Sequence, residues 1–342
     1  MRMPRSAPPH GSRRTRVPGA AGDARGIASA SSRSGEGYCP YELDPDPRAS
    51  GLVAGATVTA LGTVRHQHAP RRSSATATVL LHGAAGSWTT WTPALRAARA
   101  AGTPLDDVVA VDLPGWGDSV LGVPDDDVTL DAMADAVLRV VDDLGYADCR
   151  VVGHSMGGFI ALHAAVRHPQ RVRSLALVSP TLRSVLRSAA HPVRDLAVLP
   201  GFSMMLAAMR ATRLLGTAGL PLVGVLQRTG LLRPLTFPLF AHVRRIRGSV
   251  IAALAAEVRP RAFLQATETA VAYPADDLWP RIPCDVTAVR GGRDVFVAPD
   301  DLPGLARDVP GLRFAVVAGA GHFAHVERPL QTLRALGLVP AT

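Results

Sequence analysis

The 342-residue sequence contains no lysine; every one of its 37 basic positions is arginine. Its positive charge therefore does not titrate at any working pH. Cysteine is scarce: Cys39, Cys149 and Cys284 are odd in number and suit neither a zinc site nor a disulfide framework. The expected setting is a reducing compartment, or one where redox state is immaterial. Long apolar runs are missing too. A membrane span needs about 20 consecutive apolar residues, and the nearest candidate, Leu214 to Leu226, is short and broken by Pro221. Arg13-Arg14 invites a twin-arginine export reading, yet the stretch that follows, Pro18 to Ser34, is small and polar rather than apolar. The expected location is the cytoplasm.

The net charge of +9 is unevenly spread. Residues 1–35 hold seven arginines against Asp23 alone, and residues 181–280 hold twelve against five acids. What remains is mildly acidic, which argues against a nucleic-acid-binding protein despite the high pI. Residues 1–50 are rich in Pro, Gly, Ser, Ala and Arg without periodicity, and read as a disordered basic tail.

From residue 51 onward, short apolar runs alternate with helical stretches. Thr57–Val64, Thr76–Leu81, Val108–Val111, Arg150–Gly153, Leu175–Ser179, Val286–Val289 and Arg313–Val317 read as strands buried on both faces of a parallel sheet. Trp91–Ala101, Leu130–Leu144, Met156–His168 and Asp300–Asp308 read as the helices between them. This alternation predicts an α/β doubly wound fold. About 100 residues, 181–280, interrupt it; they are Leu-, Ala- and Arg-rich without clear strands, and predict a helical insertion over the sheet.

Gly153-His154-Ser155-Met156-Gly157 has the form G-x-S-x-G, set between a predicted strand and a predicted helix. In that setting the turn lifts the serine above the sheet as a nucleophile, with Gly153 and Gly157 close together where a Cβ would collide. The alternative is a plain N-cap serine among flexible glycines. A serine hydroxyl needs a base. His322, in Gly319-Ala320-Gly321-His322-Phe323, follows the last predicted strand, where such a sheet presents its functional groups. His325 is the alternative. Asp294 follows Val286–Val289 through Arg290-Gly291-Gly292-Arg293 and would orient the imidazole; Asp300 and Asp301 should already belong to the next helix. His82-Gly83-Ala84-Ala85-Gly86 also follows a strand. Gly83 permits close backbone approach, so the N–H groups of Ala84 and Met156 are the candidate oxyanion donors, unless the run is a simple glycine turn. His82 would support its loop, and His154 should point away from the nucleophile.

These pieces, with Asp112-Leu113-Pro114-Gly115-Trp116-Gly117-Asp118-Ser119, resemble the α/β-hydrolase superfamily over roughly residues 57–180 and 281–342. The resemblance implies an eight-stranded, mostly parallel sheet formed by residues 51–180 and 281–342, with a variable cap at 181–280. It also implies a Ser155–Asp294–His322 triad, no metal and no organic cofactor. A serine nucleophile argues against the epoxide hydrolases and haloalkane dehalogenases of the fold, which use aspartate. The expected activity is hydrolysis of a small, apolar carboxylic ester or related acyl substrate through an acyl-enzyme. Carbon–carbon or lactone hydrolysis, and a non-catalytic ligand-binding member of the fold, are the alternatives. In the cap, Phe202, Met204, Met205, Met209, Leu214 and Leu215 are candidates for an acyl pocket or for helix core. The basic cluster Arg244, Arg245 and Arg247 sits in a segment whose charge of +7 could attract an anionic substrate or an anionic membrane surface.

Overall fold

A computed structural model describes residues 37–341 except 192, 193 and 196; most of the predicted tail lies outside these residues. Nine strands form one sheet: β1 (Val53–Thr59), β2 (Gly62–His68), β3 (Thr76–Leu81), β4 (Val108–Val111), β5 (Val120–Leu121), β6 (Asp148–His154), β7 (Val172–Val178), β8 (Asp285–Gly291) and β9 (Arg313–Val317). Eight of them run in the order β1-β2-β4-β3-β6-β7-β8-β9, and the two-residue β5 pairs with β2. Pairings from β4 through β3 to β9 are parallel, while β2 is antiparallel to β1, β4 and β5.

The central strands are buried on both faces, as the runs of Val, Leu and Ala require: β4 is buried at every position, and β6 at all but Arg150. Burying a Val or Leu side chain contributes about 1.5–3 kcal/mol, so these short strands hold their places by packing. Helices α1 (Thr92–Ala100), α2 (Leu130–Asp143) and α3 (Met156–Arg167) connect strands before the insertion. The insertion between β7 and β8 supplies α4 (Arg183–Ala190), α5 (Pro200–Leu214), α6 (Gly219–Arg228), α7 (Leu232–Leu235), α8 (Gly248–Ala256), α9 (Pro260–Val271) and α10 (Ala275–Leu278). After it come α11 (Asp301–Asp308), α12 (Ala324–Glu327) and α13 (Pro329–Ala335). No helix among the described residues is long and apolar enough to cross a membrane.

Two expectations need correction. Thr57–Val64 is not one strand but the turn of a hairpin. β1 and β2 pair from Val53↔His68 to Thr59↔Gly62, and Thr59 Oγ1 donates to the Gly62 carbonyl across the turn. Thr57 to Val64 stays β-branched and apolar straight through the turn, with only Gly62 to mark it, so composition does not reveal the break. Residues 37–50 do not belong to a disordered tail. Tyr38, Cys39 and Leu43 are buried, and the Tyr38 hydroxyl donates to Glu327 Oε2 at 2.6 Å. Arg245 stacks over the Tyr38 ring and Arg247 donates to the Cys39 carbonyl. Composition hid these anchors, because a few aromatic and apolar contacts outweigh a Pro- and Asp-rich background.

Candidate active site

The strand–turn–helix setting of Ser155 is realised between β6 and α3. Ser155 has φ 51° and ψ −116°, a left-handed conformation that is strained for a residue with a side chain. The turn is tight because its glycines have no room for anything else. A Cβ on Gly153 would stand 2.5 Å from the Gly157 carbonyl oxygen. One on Gly157 would stand 2.5 Å from the carbonyl oxygens of Leu81 and His82. The second collision is therefore with the end of β3, not with Gly153, and it draws the loop after β3 against the start of α3.

His322 lies in the loop after β9, and Asp294 in the loop after β8. Backbone bonds bind the two loops together: the Arg293 N–H donates to the Ala320 carbonyl and the Gly292 N–H to that of Val317. The His322 N–H donates to the Leu239 carbonyl of the insertion. His322 Nδ1 is 3.1 and 3.2 Å from the two Asp294 oxygens, and Nε2 is 3.0 Å from Ser155 Oγ. An ionised carboxylate can only accept, so Nδ1 carries the hydrogen and Nε2 presents its lone pair to the serine hydroxyl. The Asp294 side chain is fully buried and also accepts the Phe296 N–H at 2.8 Å. The arrangement can withdraw a proton from Ser155 and stabilise the imidazolium that results.

Ala84 and Met156 line the same cavity as Ser155 and His322. Neither backbone N–H donates to another segment among the described residues. The Met156 amide opens α3, where the helix dipole adds positive character. Gly83 is needed for this closeness: a Cβ there would stand 2.8 Å from His154 Nδ1 and 2.9 Å from Ser155 Cβ.

The sequence assigned His82 only a supporting role, and the structure shows how it supports. The Leu113 N–H donates to His82 Nε2 at 3.0 Å, so Nδ1 carries the hydrogen and donates to the Gly83 carbonyl at 2.8 Å. In a planar trans peptide the Gly83 C=O and the Ala84 N–H point in opposite directions. Holding the carbonyl therefore aims the Ala84 N–H. His82 is wholly buried, which lowers its pKa to about 4 and keeps it neutral in this tautomer. Asp112 braces the same loop by accepting the Trp88 N–H at 2.8 Å, and burial raises its pKa to about 6.

His154 turns away from the serine, as expected; its Nε2 donates to the His322 carbonyl at 3.1 Å. His325 does not reach Ser155. It is completely buried against the rings of Trp91 and His154, with centroids 4.4 and 4.5 Å away, and burial lowers its pKa to about 3.

Sequence reasoning missed Glu327 altogether. Its buried carboxylate accepts from the Tyr38 hydroxyl, the Ala241 N–H at 2.8 Å and the Gly321 N–H at 2.9 Å. It thus joins the N-terminal segment, the insertion and the His322 loop. The available signal was a lone acid five residues after the base, which periodicity gives no reason to single out.

The cavity above Ser155 is largely apolar, with Phe159, Val185, Phe202, Met205, Leu254, Phe263 and Phe296 among its walls. Of the suggested acyl-pocket residues, Phe202 and Met205 line it. Met209 is buried in the core beside it, while Met204, Leu214 and Leu215 face outward with exposures of 43, 87 and 50%. The three cysteines are free, and no cluster of metal-binding side chains occurs among the described residues.

A family model described as alpha/beta hydrolase fold matches residues 77–329. A pimeloyl-[acyl-carrier protein] methyl ester esterase of Neisseria meningitidis is 30% identical over 218 residues, covering 63% of this chain and 75% of that protein. The dihydrolipoyllysine-residue acetyltransferase component of an acetoin cleaving system from Cupriavidus necator is 41% identical over 120 residues. That match covers 34% of this chain and only 30% of the acetyltransferase component. Among solved structures, the enol-lactonase from Burkholderia xenovorans superposes with a TM-score of 0.61 at 20% identity, over 83% of this chain and all of that one. A carboxylesterase from Bacillus subtilis gives 0.62 at 19% identity, over 84% of this chain and 93% of that one. At such identities the likeness is one of fold.

Proposed function

This chain belongs to the α/β-hydrolase fold family, and on that premise we propose that it is a serine hydrolase cleaving a carboxylic ester through an acyl-enzyme. The observation that carries the reading is His322 bridging Ser155 Oγ at 3.0 Å and Asp294 at 3.1 Å. Ser155 attacks the acyl carbon while His322 Nε2 takes its proton, and the Asp294 carboxylate steadies the charged ring. The negative charge on the acyl oxygen falls to the N–H groups of Ala84 and Met156, donors that are already oriented before the substrate arrives. Collapse breaks the bond to the leaving oxygen, which departs with the proton from His322. Water, deprotonated by the same imidazole, then releases the acid and restores Ser155.

The insertion at 181–280 acts as a substrate-selecting cap over a core formed by 51–180 and 281–342. Phe202, Met205, Leu254 and Phe263 from the cap face the cavity, so an aliphatic or aromatic acyl group is the substrate class the walls favour. That the meningococcal relative is a methyl ester esterase supports an ester over other acyl bonds.

The test is turnover of p-nitrophenyl esters of short and long acids by the native protein beside Ser155→Ala. Turnover that falls at least about a thousandfold in the variant supports the mechanism. A variant as active as the native protein refutes it.

A further inference from the structure

From Leu196 to Ala256 the chain carries seven arginines and not one Asp or Glu. The same stretch is unusual in what it exposes. Of the fourteen exposed large apolar side chains among the described residues, ten lie between Val198 and Phe237. Leu214 is 87% exposed, Leu235 62%, Leu231 58% and Leu220 53%. In α6 only Gly219 is buried. Arg210, Arg213, Arg228 and Arg244 are exposed around these residues, and none pairs with a carboxylate among the described residues. Apolar patches of this kind, rimmed by polar groups, mark contact surfaces.

The chemistry selects the occupant. A second copy of this chain would set Arg210, Arg213, Arg228 and Arg244 against the same four, with Glu268, which lines the groove beside Arg210 and Arg213, as only a partial offset, and a self-complementary interface disfavours such like-charge pairing. A protein partner is held by buried Trp, Tyr and Arg anchors, and residues 196–256 contain no Trp or Tyr to set beside their arginines. Aliphatic side chains exposed together beside long arginines suit the boundary between acyl chains and phosphate headgroups.

We propose that the exposed face of α5, α6 and α7 docks on an anionic lipid bilayer, its leucines in the acyl boundary and its arginines on the headgroup phosphates. α5 also turns Phe202 and Met205 into the cavity above Ser155. If the hydrolase reading holds, docking brings the cap against a store of apolar substrate; the binding itself does not depend on that reading.

The experiment is flotation of the full chain with vesicles of phosphatidylcholine alone and of phosphatidylcholine with phosphatidylglycerol, at low and high salt. Native protein should float with the anionic vesicles, several-fold less with the neutral ones, and less again at high salt. A Leu214→Gln/Leu220→Gln/Leu231→Gln variant should float at least tenfold less at an unchanged melting temperature. Arg213→Gln/Arg228→Gln/Arg244→Gln should lose the preference for phosphatidylglycerol. Equal flotation of native and leucine variant would overturn the proposal by assigning binding to the basic N-terminal residues. Failure to float on either vesicle would overturn it in favour of an acidic protein partner. A dimer seen by light scattering that the leucine variant dissolves would assign the face to a second copy.

Discussion

Glu327 offers a sharp test of how the site is held. Three donors converge on its two oxygens: the Tyr38 hydroxyl and the Ala241 N–H on Oε2, and the Gly321 N–H on Oε1. Burial raises its pKa and the three hydrogen bonds offset that only in part, while the ionised form is the better acceptor for all three donors. Glu327→Gln is nearly isosteric, yet an amide has one acceptor. With its oxygen toward Tyr38 and Ala241, its NH2 faces the Gly321 N–H; flipped, the NH2 faces Ala241. Either way a buried backbone donor is orphaned, at about 1–3 kcal/mol, and the remaining bonds lose their charge assistance, at about 1 kcal/mol. Urea unfolding should therefore show a loss of about 2–4 kcal/mol. Because the Gly321 N–H precedes His322 by one residue, kcat should fall about ten- to a hundredfold through misplacement of the base. Tyr38→Phe leaves the His242 N–H without its acceptor and removes one bond to the carboxylate. It should cost about 1.5–3 kcal/mol. The double variant should cost clearly less than the sum of the singles, since the two share a bond. A loss under about 0.5 kcal/mol for either single variant would refute the claim that this network binds residues 37–50 to the His322 loop.

Other consequences can be measured directly. His82→Ala should lower kcat about a hundredfold with a smaller change in KM, because the Ala84 N–H is no longer aimed. His82→Asn, whose amide can still donate to the Gly83 carbonyl, should recover much of that loss; equal activity of all three proteins would contradict the orienting role. Gly157→Ala should destabilise the fold by roughly 3 kcal/mol or more, since its Cβ meets two backbone carbonyls at 2.5 Å. A melting temperature within a degree of native would rule out that collision. Acid should weaken the protein below pH 6.5. Burial, the first cause in each case, sets His66 and His82 at about 4 and His325 at about 3, and holds His154 well below its ordinary value. The unfolded chain takes up these protons near 6.5 while the folded chain refuses them, so stability is full above 6.5 and lost as pH falls toward 4. Asp112, raised to about 6, opposes this by about half a proton at pH 6, and Asp301 and Glu327, also raised by burial, oppose it in the same direction. Averaged between pH 7 and 6 the net is somewhat under two protons, or about 2 kcal/mol over that pH unit, read from urea midpoints at the two pH values. A stability that is flat or rises on acidification would mean these histidines are charged in the fold.

The sequence made the central sheet readable because its strands are buried on both faces, and a short continuous apolar run bounded by turn residues fits little else in an α/β chain. Thr76–Leu81, Val108–Val111 and Arg313–Val317 coincide with β3, β4 and β9. Ser155, His322 and Asp294 were legible for a related reason. Each follows a strand, so placing the strands placed the loops, and a parallel sheet brings the C-terminal ends of β6, β8 and β9 to one edge. The structure brings those three side chains together. Elements whose identity depends on a distant partner were not legible. Thr57–Val64 conceals a hairpin because β-branched and apolar residues run through its two-residue turn, and Tyr38 acquires its meaning from distant partners such as Glu327, 289 positions away.

The insertion between β7 and β8 separates along the same line, and shows why composition was a poor guide to which of its residues meet the cavity. Apolar residues in a helix over a sheet can face the cavity, the core or the outside, and one helix presents all three. In α5, Phe202 and Met205 reach the cavity, Met209 joins the core, and Met204 and Leu214 stand outward. Hydropathy counts these residues alike, since it measures what a side chain would gain by leaving water and not where it leaves to. Charge does carry the missing direction. Burial within this chain does not account for Leu214, Leu220 and Leu231, which stand exposed beside Arg210, Arg213 and Arg228, and these are the residues that composition could not sort.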